Sequence, residues 1–451
     1  MALLVAPALV EAQAVSVPPN LILPNYDRIP VGQQEGIEAG AFLARTGDAG
    51  SNWYNPAGLA KSAKSAVNAS ATAYEWTSTE LEGLGAVAGR SRINSVGTLF
   101  SAVLGNGPLQ SDRWRLGFSI ARPITWRPSS IELAFPDPNG QENLAYASDV
   151  DFEVMIPAVA AAFAPGGVAS GKFRLGAGLG MAITSLSQTQ VVSDRATTPP
   201  TSASVTLRSF SADGSAWDLR LTGGAQWDAT PAITVGARLA APSLKVRGST
   251  RMNLQSTLVQ GPALKDLVFR DSEASFDYKL PAEAALGASL RGQKGEAEID
   301  VHYYGSIDAY DLYSSTSTGS RTVVDSAGVV TVTTAPLAAT TNSARSVVNV
   351  AVGGSYLLTS RLRVHAGFSS DRSPVPDGTQ SIFRQVNLTR ITSGLSLTRS
   401  SLSGSLGFGY SFGSDSRHAI VTTQGGEPVE TRLKVRTANL LFALSYSFQA
   451  K

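Results

Sequence analysis

Between Lys172 and Thr184 the chain alternates strictly: Phe173, Leu175, Ala177, Leu179, Met181 and Ile183 are apolar, while Arg174, Gly176, Gly178, Gly180, Ala182 and Thr184 are small or polar. A period of two puts the first set on one face of an extended strand and the second on the other. The pattern returns at Leu440, Phe442, Leu444, Tyr446 and Phe448, which alternate with Asn439, Leu441, Ala443, Ser445 and Ser447. It recurs at Trp114/Leu116/Phe118/Ile120, Leu219/Leu221, Ile233/Val235/Leu239, Ala297/Ile299/Val301/Tyr303, Val348/Val350/Val352 and Leu362/Val364/Phe368. The expectation is an all-β chain of about 14 strands beginning near Ser65, Arg92, Arg113, Asp151, Lys172, Ala216, Ala232, Glu283, Glu296, Arg345, Arg361, Thr389, Leu402 and Val435.

Alternation alone fits either a membrane barrel or a soluble sandwich, since each strand buries one face in both. The connections separate the two. Tight turn signals at Pro165-Gly166-Gly167, Asp228-Ala229-Thr230-Pro231, Gly292-Gln293-Lys294-Gly295 and Thr359-Ser360 take turns with long polar stretches over 123–150, 186–215, 248–275, 308–345, 371–385 and 413–432. Short turns on one side and long loops on the other are what an up-and-down outer-membrane barrel requires. Hydrocarbon offers backbone groups no hydrogen-bond partner, so strands cross it only as a closed ring. The apolar faces then meet lipid, and Arg115, Arg174, Arg220, Arg238, Glu298, Asp300, His302, Arg363 and His365 face the lumen, where both signs are present and pair with one another. Trp114, Trp126, Trp217, Trp227, Tyr303, Tyr356 and Tyr446 fall near strand ends, as interfacial aromatic girdles do.

Composition agrees. Charged residues are 16% of the 451, below the roughly 25% of ordinary globular domains, and glycines number 43. Net charge is +2 with the basic residues scattered, so no basic stripe argues for nucleic acid. There is no cysteine, which removes disulfides and thiolate sites. His302, His365 and His418 are far apart, so no metal site and no cofactor is expected. Residues 1–14 are apolar up to Val10 and end on Ala12-Gln13-Ala14, a small-x-small cleavage pattern, although the basic start of a signal peptide is missing. The alternative is a short buried apolar strand.

Ahead of the strands runs GAFLARTGDAGSNWYNPAGLA, residues 40–60. This polar, Gly-rich stretch with Asn55-Pro56-Ala57 resembles the N-terminal hatch of the FadL family, outer-membrane channels for long-chain fatty acids and other hydrophobic molecules. The resemblance continues at LKVRGST (244–250) after the strand AITVGARLAAP, at LPAEAALGASLR (280–291) followed by AEIDVHYYGS, and at RLRVHAGFSSDRSPVPD (361–377), in the family's order. It implies a transmembrane antiparallel barrel over 65–451, a hatch over 15–64 plugging the lumen, and a signal peptide over 1–14. It also implies passive uptake of a hydrophobic small molecule across the outer membrane of a Gram-negative bacterium by a monomer surrounded by lipid and lipopolysaccharide. Capture would occur on extracellular loops, binding in the lumen, and release by hatch rearrangement, partly sideways into the membrane.

Carried over by motif, Asn55, Pro56 and Ala57 are a latch: Pro56 removes a backbone donor, and the Asn55 amide can bond backbone groups of the wall. An ordinary Asn-Pro turn opening a helix is the other reading. Leu258, Val259, Leu264, Leu267, Val268 and Phe269 form an apolar stretch in a polar loop, either a capture site or self-packing of that loop. Gly117, with Pro123, is the candidate kink of the third strand, through which ligand leaves in the family. An enzyme is not expected. Gly409-Tyr410-Ser411-Phe412-Gly413 matches a hydrolase nucleophile pattern but lies in an alternating strand, not at a strand-to-helix turn. A diffusion porin for small polar solutes and, more remotely, an outer-membrane lipid hydrolase are the alternatives.

Overall fold

The computed structural model describes residues 24–27, 31–62, 64–82, 92–104, 111–127, 131–136, 142–168, 171–198, 202–377, 386–419 and 429–448. The expected signal peptide, 1–14, lies outside them. Two short helices, α1 (Gln34–Ile37) and α2 (Ser51–Tyr54), and a 3-10 helix (Pro56–Lys61) precede the strands. The strands are β1 (Ser65–Glu82), β2 (Arg92–Leu104), β3 (Trp114–Trp126), β4 (Ile131–Pro136), β5 (Glu142–Phe163), β6 (Phe173–Thr198), β7 (Ser202–Asp228), β8 (Ile233–Ala240), β9 (Leu244–Gln260), β10 (Ala263–Phe276), β11 (Glu283–Arg291) and β12 (Gly295–Tyr304). They continue with β13 (Ile307–Ser314), β14 (Thr318–Val324), β15 (Val330–Pro336), β16 (Thr340–Ala344), β17 (Val347–Leu357), β18 (Leu362–Asp371), β19 (Leu388–Arg399), β20 (Leu402–Ala419) and β21 (Val429–Phe448).

These strands make a closed antiparallel barrel of 14 staves. Six staves are β1, β2, β3, β5, β6 and β7; four more are β8 with β9, β10 with β11, β12 with β13, and β16 with β17; β18 to β21 complete the ring. The circle closes where β21 pairs with β1, from Ser65 opposite Phe448 to Glu82 opposite Arg432, which joins the first stave to the last as a membrane-crossing sheet requires. Connections at 164–172, 229–232, 292–294, 358–361 and 400–401 are tight and share the end at which β1 begins and β21 finishes. Most of the stave starts predicted from alternation match, because each apolar face had to be read in only one register, but β5 begins at Glu142 rather than Asp151, β7 at Ser202 rather than Ala216, β21 at Val429 rather than Val435, and the stave of β10 with β11 at Ala263 rather than Glu283.

The outward set is exposed although apolar: Leu179, Leu221, Leu239, Leu286, Ile299, Val352, Ile391, Leu406 and Leu444 stand on neighbouring staves around the wall. A continuous apolar band of this kind is a lipid-facing surface. Trp114, Trp227, Tyr356 and Tyr446 are exposed beside the short turns, as a girdle requires. Trp126 is not in it. The β3–β5 register shifts between Ala121 and Ile124, which reverses the facing of the strand, and Trp126 is buried at 9% exposure in the interior.

The long polar connections are also not loops throughout. β5, β6, β7, β9, β10, β20 and β21 carry the ladder well past the membrane band, and Thr198 still pairs with Ser202. Thr, Ser and Val hold extended backbone there without an apolar outer face, so the signal used to find the staves fades while the strand persists.

Candidate functional site

The inner segment, residues 31–62, packs inside the ring against opposite sides of the wall. Four cross-strand glycine pairs receive it. Gly176 and Gly224 face Asn55, Pro56 and Ala57; Gly236 and Gly287 face Leu43 and Ala44; Gly353 and Gly367 face Glu38 and Ala39; Gly394 and Gly407 face Ile37. At each position but Gly287 a Cβ would overlap the segment, and at Gly287 it would overlap Asp300 and crowd Leu43, so the missing side chain is what lets the segment approach the wall. Glycine abundance was visible in the sequence, but only the ladder aligns the pairs.

Asn55 is fully buried. Its Nδ2 donates to Leu43 O at 3.0 Å and to Ala225 O of β7 at 3.1 Å, while its Oδ1 accepts from Ala57 N at 3.1 Å. Pro56 follows as the first residue of the 3-10 helix, where its missing N–H costs nothing. The side chain thus caps that helix and ties the segment to the wall at once.

Polar wall residues do the rest. Asp300 Oδ2 accepts from Phe42 N at 2.8 Å and Leu43 N at 3.1 Å, and Glu298 accepts from Ala44 N and from Arg45 N and Nε. Arg45 also pairs with Glu38, whose other oxygen lies 2.6 Å from His365 Nδ1; His365 Nε2 is 2.7 Å from Ser396 Oγ. Gln226 Nε2 donates to Leu43 O and Thr46 O. Lumen-facing charges were expected to pair with one another. Arg220 and Arg238 with Glu283, and Arg363 with Glu296, do so, whereas Glu298 and Asp300 serve the backbone of the inner segment. Alternation gives the direction in which a carboxylate points, not which partner reaches it.

Within the segment, Glu35 is buried and carries no ion pair among the described residues; its Oε2 accepts from Gln33 N at 2.8 Å. Burial, reinforced by the nearby Asp48, pushes its carboxyl up to about 8.

Above the segment, on the long-connection side, the lumen is lined by apolar side chains rather than polar ones. Phe152, Phe210, Met252, Leu254, Phe269, Phe276, Tyr278, Leu312 and Tyr313 form one buried cluster, with Phe276 stacked on Tyr313 at 5.5 Å and Phe152 edge-on to Tyr278 at 4.9 Å. A cavity of about 100 Å³ lies between this cluster and the segment, bounded by Trp53, Tyr54, Pro123, Ile124, Ile156 and Leu280 and, on its polar side, by Arg220, Arg238, Glu283, His302 and Arg390.

The apolar stretch of 258–269 divides. It forms the β9–β10 hairpin, not a loop; Leu267 and Phe269 point into the buried cluster, whereas Val259 is 41% exposed and Leu258, Leu264 and Val268 are half-buried near the tip. Gly117 lies in unbroken ladder, opposite Val103 and Ala160, and its bare Cα accommodates Leu59. The irregularity in β3 is at Pro123, six residues away in the chain, between Ala121 and Ile124, because proline has no N–H to give the ladder. Among the described residues β2 bridges β3 only over Leu99–Leu104, so the wall beside Pro123 lacks that ladder. Ser411 sits mid-strand in β20 and accepts a hydrogen bond from Arg390 Nε at 3.0 Å, far from a nucleophile elbow.

A closed 14-stave ring with an apolar outer band is an outer-membrane β-barrel, and its fold is that of the FadL-type transporters. Three solved structures are similar over nearly their whole length. A Pseudomonas aeruginosa FadL homologue matches with a TM-score of 0.60 at 15% identity, covering 95% of this chain and 99% of that one. The P. putida toluene transporter TodX matches at 0.58 and 13%, covering 93% and 99%, and the CymD monoaromatic hydrocarbon channel at 0.58 and 13%, covering 93% and 98%. No protein-family model and no curated protein matches by sequence. At these identities the likeness is one of fold.

Proposed function

We propose that the protein admits small hydrophobic molecules passively through the outer membrane. The observation that carries this reading is the apolar lining of the lumen above the inner segment. A diffusion porin needs a polar, water-filled interior, and Phe152, Phe269 and Phe276 occupy the equivalent space here. The similar solved structures, a toluene transporter and a monoaromatic hydrocarbon channel among them, support the same class.

In this reading the β9–β10 hairpin gives first contact through Leu258, Val259 and Leu264, and Leu267 and Phe269 lead inward to the aromatic cluster. Each buried methylene contributes about 0.8 kcal/mol, so a graded apolar path draws the ligand in without a deep trap. The cavity over Trp53 is the lumenal binding site; at about 100 Å³ it is closer to one aromatic ring than to a long acyl chain. Release follows when residues 31–62, acting as a hatch latched by Asn55, Pro56 and Ala57, rearrange, and the unladdered wall at Pro123 offers a sideways exit.

The test is uptake of labelled toluene, oleate and a small sugar by Gram-negative cells lacking their own hydrophobic transporter, with and without this protein. Toluene or oleate uptake without sugar leakage is the expected result. Sugar passage alone would make the protein a porin.

A further inference from the structure

A second cavity, of about 430 Å³, lies at the short-turn end, below the inner segment and away from the apolar lumen. Arg45, Lys61, Arg174 and Arg291 line it, against Asp228 and Glu296. The two carboxylates are committed: Asp228 accepts from Arg174 Nη2 at 2.6 Å and from Thr234 Oγ1 at 2.9 Å, and Glu296 lies 3.0 Å from Arg363, 3.6 Å from Arg45 and 3.7 Å from Arg291. The donors are in surplus. Arg174, 6% exposed, has its Nε and Nη1 without a hydrogen-bond partner, and Lys61 Nζ donates to Ala44 O at 3.0 Å. Two cations thus converge on one polar space, Arg174 with two nitrogens unfilled and Lys61 donating to Ala44 O.

Water in a space of this size could fill those hydrogen bonds but not offset the surplus of cations, four of which face two carboxylates in the lining, and a buried donor left unfilled is costly. We propose that this cavity binds a small oxyanion, a carboxylate or phosphate group, held between Arg174 and Lys61. The electrostatics agree: burial, and then repulsion from Arg174, lower Lys61 to about 8, and an anion between the two would reverse the second effect. Guanidinium and ammonium groups both make short, charge-assisted bonds to such oxygens. The anion could be free in the periplasm or be the head group of an amphiphile reaching the mouth from below. The site is separate from the hydrophobic path and does not depend on it.

Calorimetric titration of the full-length detergent-solubilised protein with acetate, inorganic phosphate and decanoate tests the site, with heat-dependent mobility in SDS gels verifying the fold of each variant. Saturable binding that weakens at least tenfold in both Lys61→Gln and Arg174→Gln is expected. Lys61 lies on the inner segment, so its variant stays informative if Arg174→Gln disturbs the wall. Sensitivity of acetate or phosphate alone would identify a free anion, and sensitivity of decanoate as well a head group. No saturable binding, or binding that ignores both substitutions, overturns the proposal; decanoate binding of the latter kind would belong to the apolar lumen.

Discussion

Asn55 donates its side-chain amide to the carbonyl of Ala225, 3.1 Å away, and so ties the inner segment to β7 at the one place where Gly224 leaves room for it. The same side chain caps the 3-10 helix behind it. Asn55→Ala leaves the carbonyls of Leu43 and Ala225 without that donor in a buried place, which weakens docking of the segment by about 1–3 kcal/mol. Uptake is expected to slow while membrane insertion is unchanged. Normal uptake by a correctly inserted variant would remove the latch role.

The glycine pairs make a paired prediction on one strand. A Cβ on Gly224 would overlap Asn55 Oδ1 and crowd Pro56 Cδ, whereas one on Gly223 meets nothing within 4 Å. Gly224→Ala should expose residues 31–62 to hydrogen exchange, and Gly223→Ala, with the same change in backbone propensity, should leave exchange as in the parent. Equal behaviour of the two would mean that the segment does not depend on the close approach.

Arg45 stands between Glu38 and Glu298, both buried. Arg45→Met removes the cation and strands the carboxylates, a loss of about 3–5 kcal/mol for a broken buried pair. The loss should fall on the segment, since the barrel ladder is untouched. Limited proteolysis would then cut within 31–62 while the β-sheet circular dichroism of the barrel is retained.

A pH dependence follows from Glu35, with the buried carboxyl of Asp48 beside it raised in the same direction. Its carboxyl titrates near 4.5 when free and near 8 when docked, so the docked segment holds the extra proton. Docking is therefore strongest below about 4.5 and is progressively lost as pH rises through about 8. Lys61, lowered to about 8, stays protonated in both states until pH approaches that value, where it adds a slope of opposite sign. Exchange protection of 31–62 should fall between pH 5 and 7.5, and Glu35→Gln, which keeps an acceptor for Gln33 N, should flatten the fall. A parent protein with constant protection across that range would exclude Glu35 as the cause.

Much of the wall was legible because a stave facing lipid on one side must alternate, and Phe173 to Ile183 or Leu440 to Phe448 could be read in one way only. Where a strand leaves the membrane that constraint lapses, so the extensions of β6 and β7 past Leu186 and Ser215 read as loops. The facing of Trp126 escaped for another reason: a bulge next to Pro123 changes parity, and parity after a bulge depends on which residue the ladder omits.

By itself, then, the sequence determined a chain of alternating staves joined by short and long connections in turn, with charges such as Glu298 and Asp300 pointing inward, since these follow from a local period. Tertiary structure alone decided that Gly176 meets Gly224 and Gly236 meets Gly287, that Glu298 and Asp300 hold the backbone of residues 42–45, and that Lys61 converges with Arg174. Those relationships join residues tens to hundreds of positions apart: the glycine pairs depend on the register between paired strands, and the contacts of the segment on the ring that closes around it through β1 and β21.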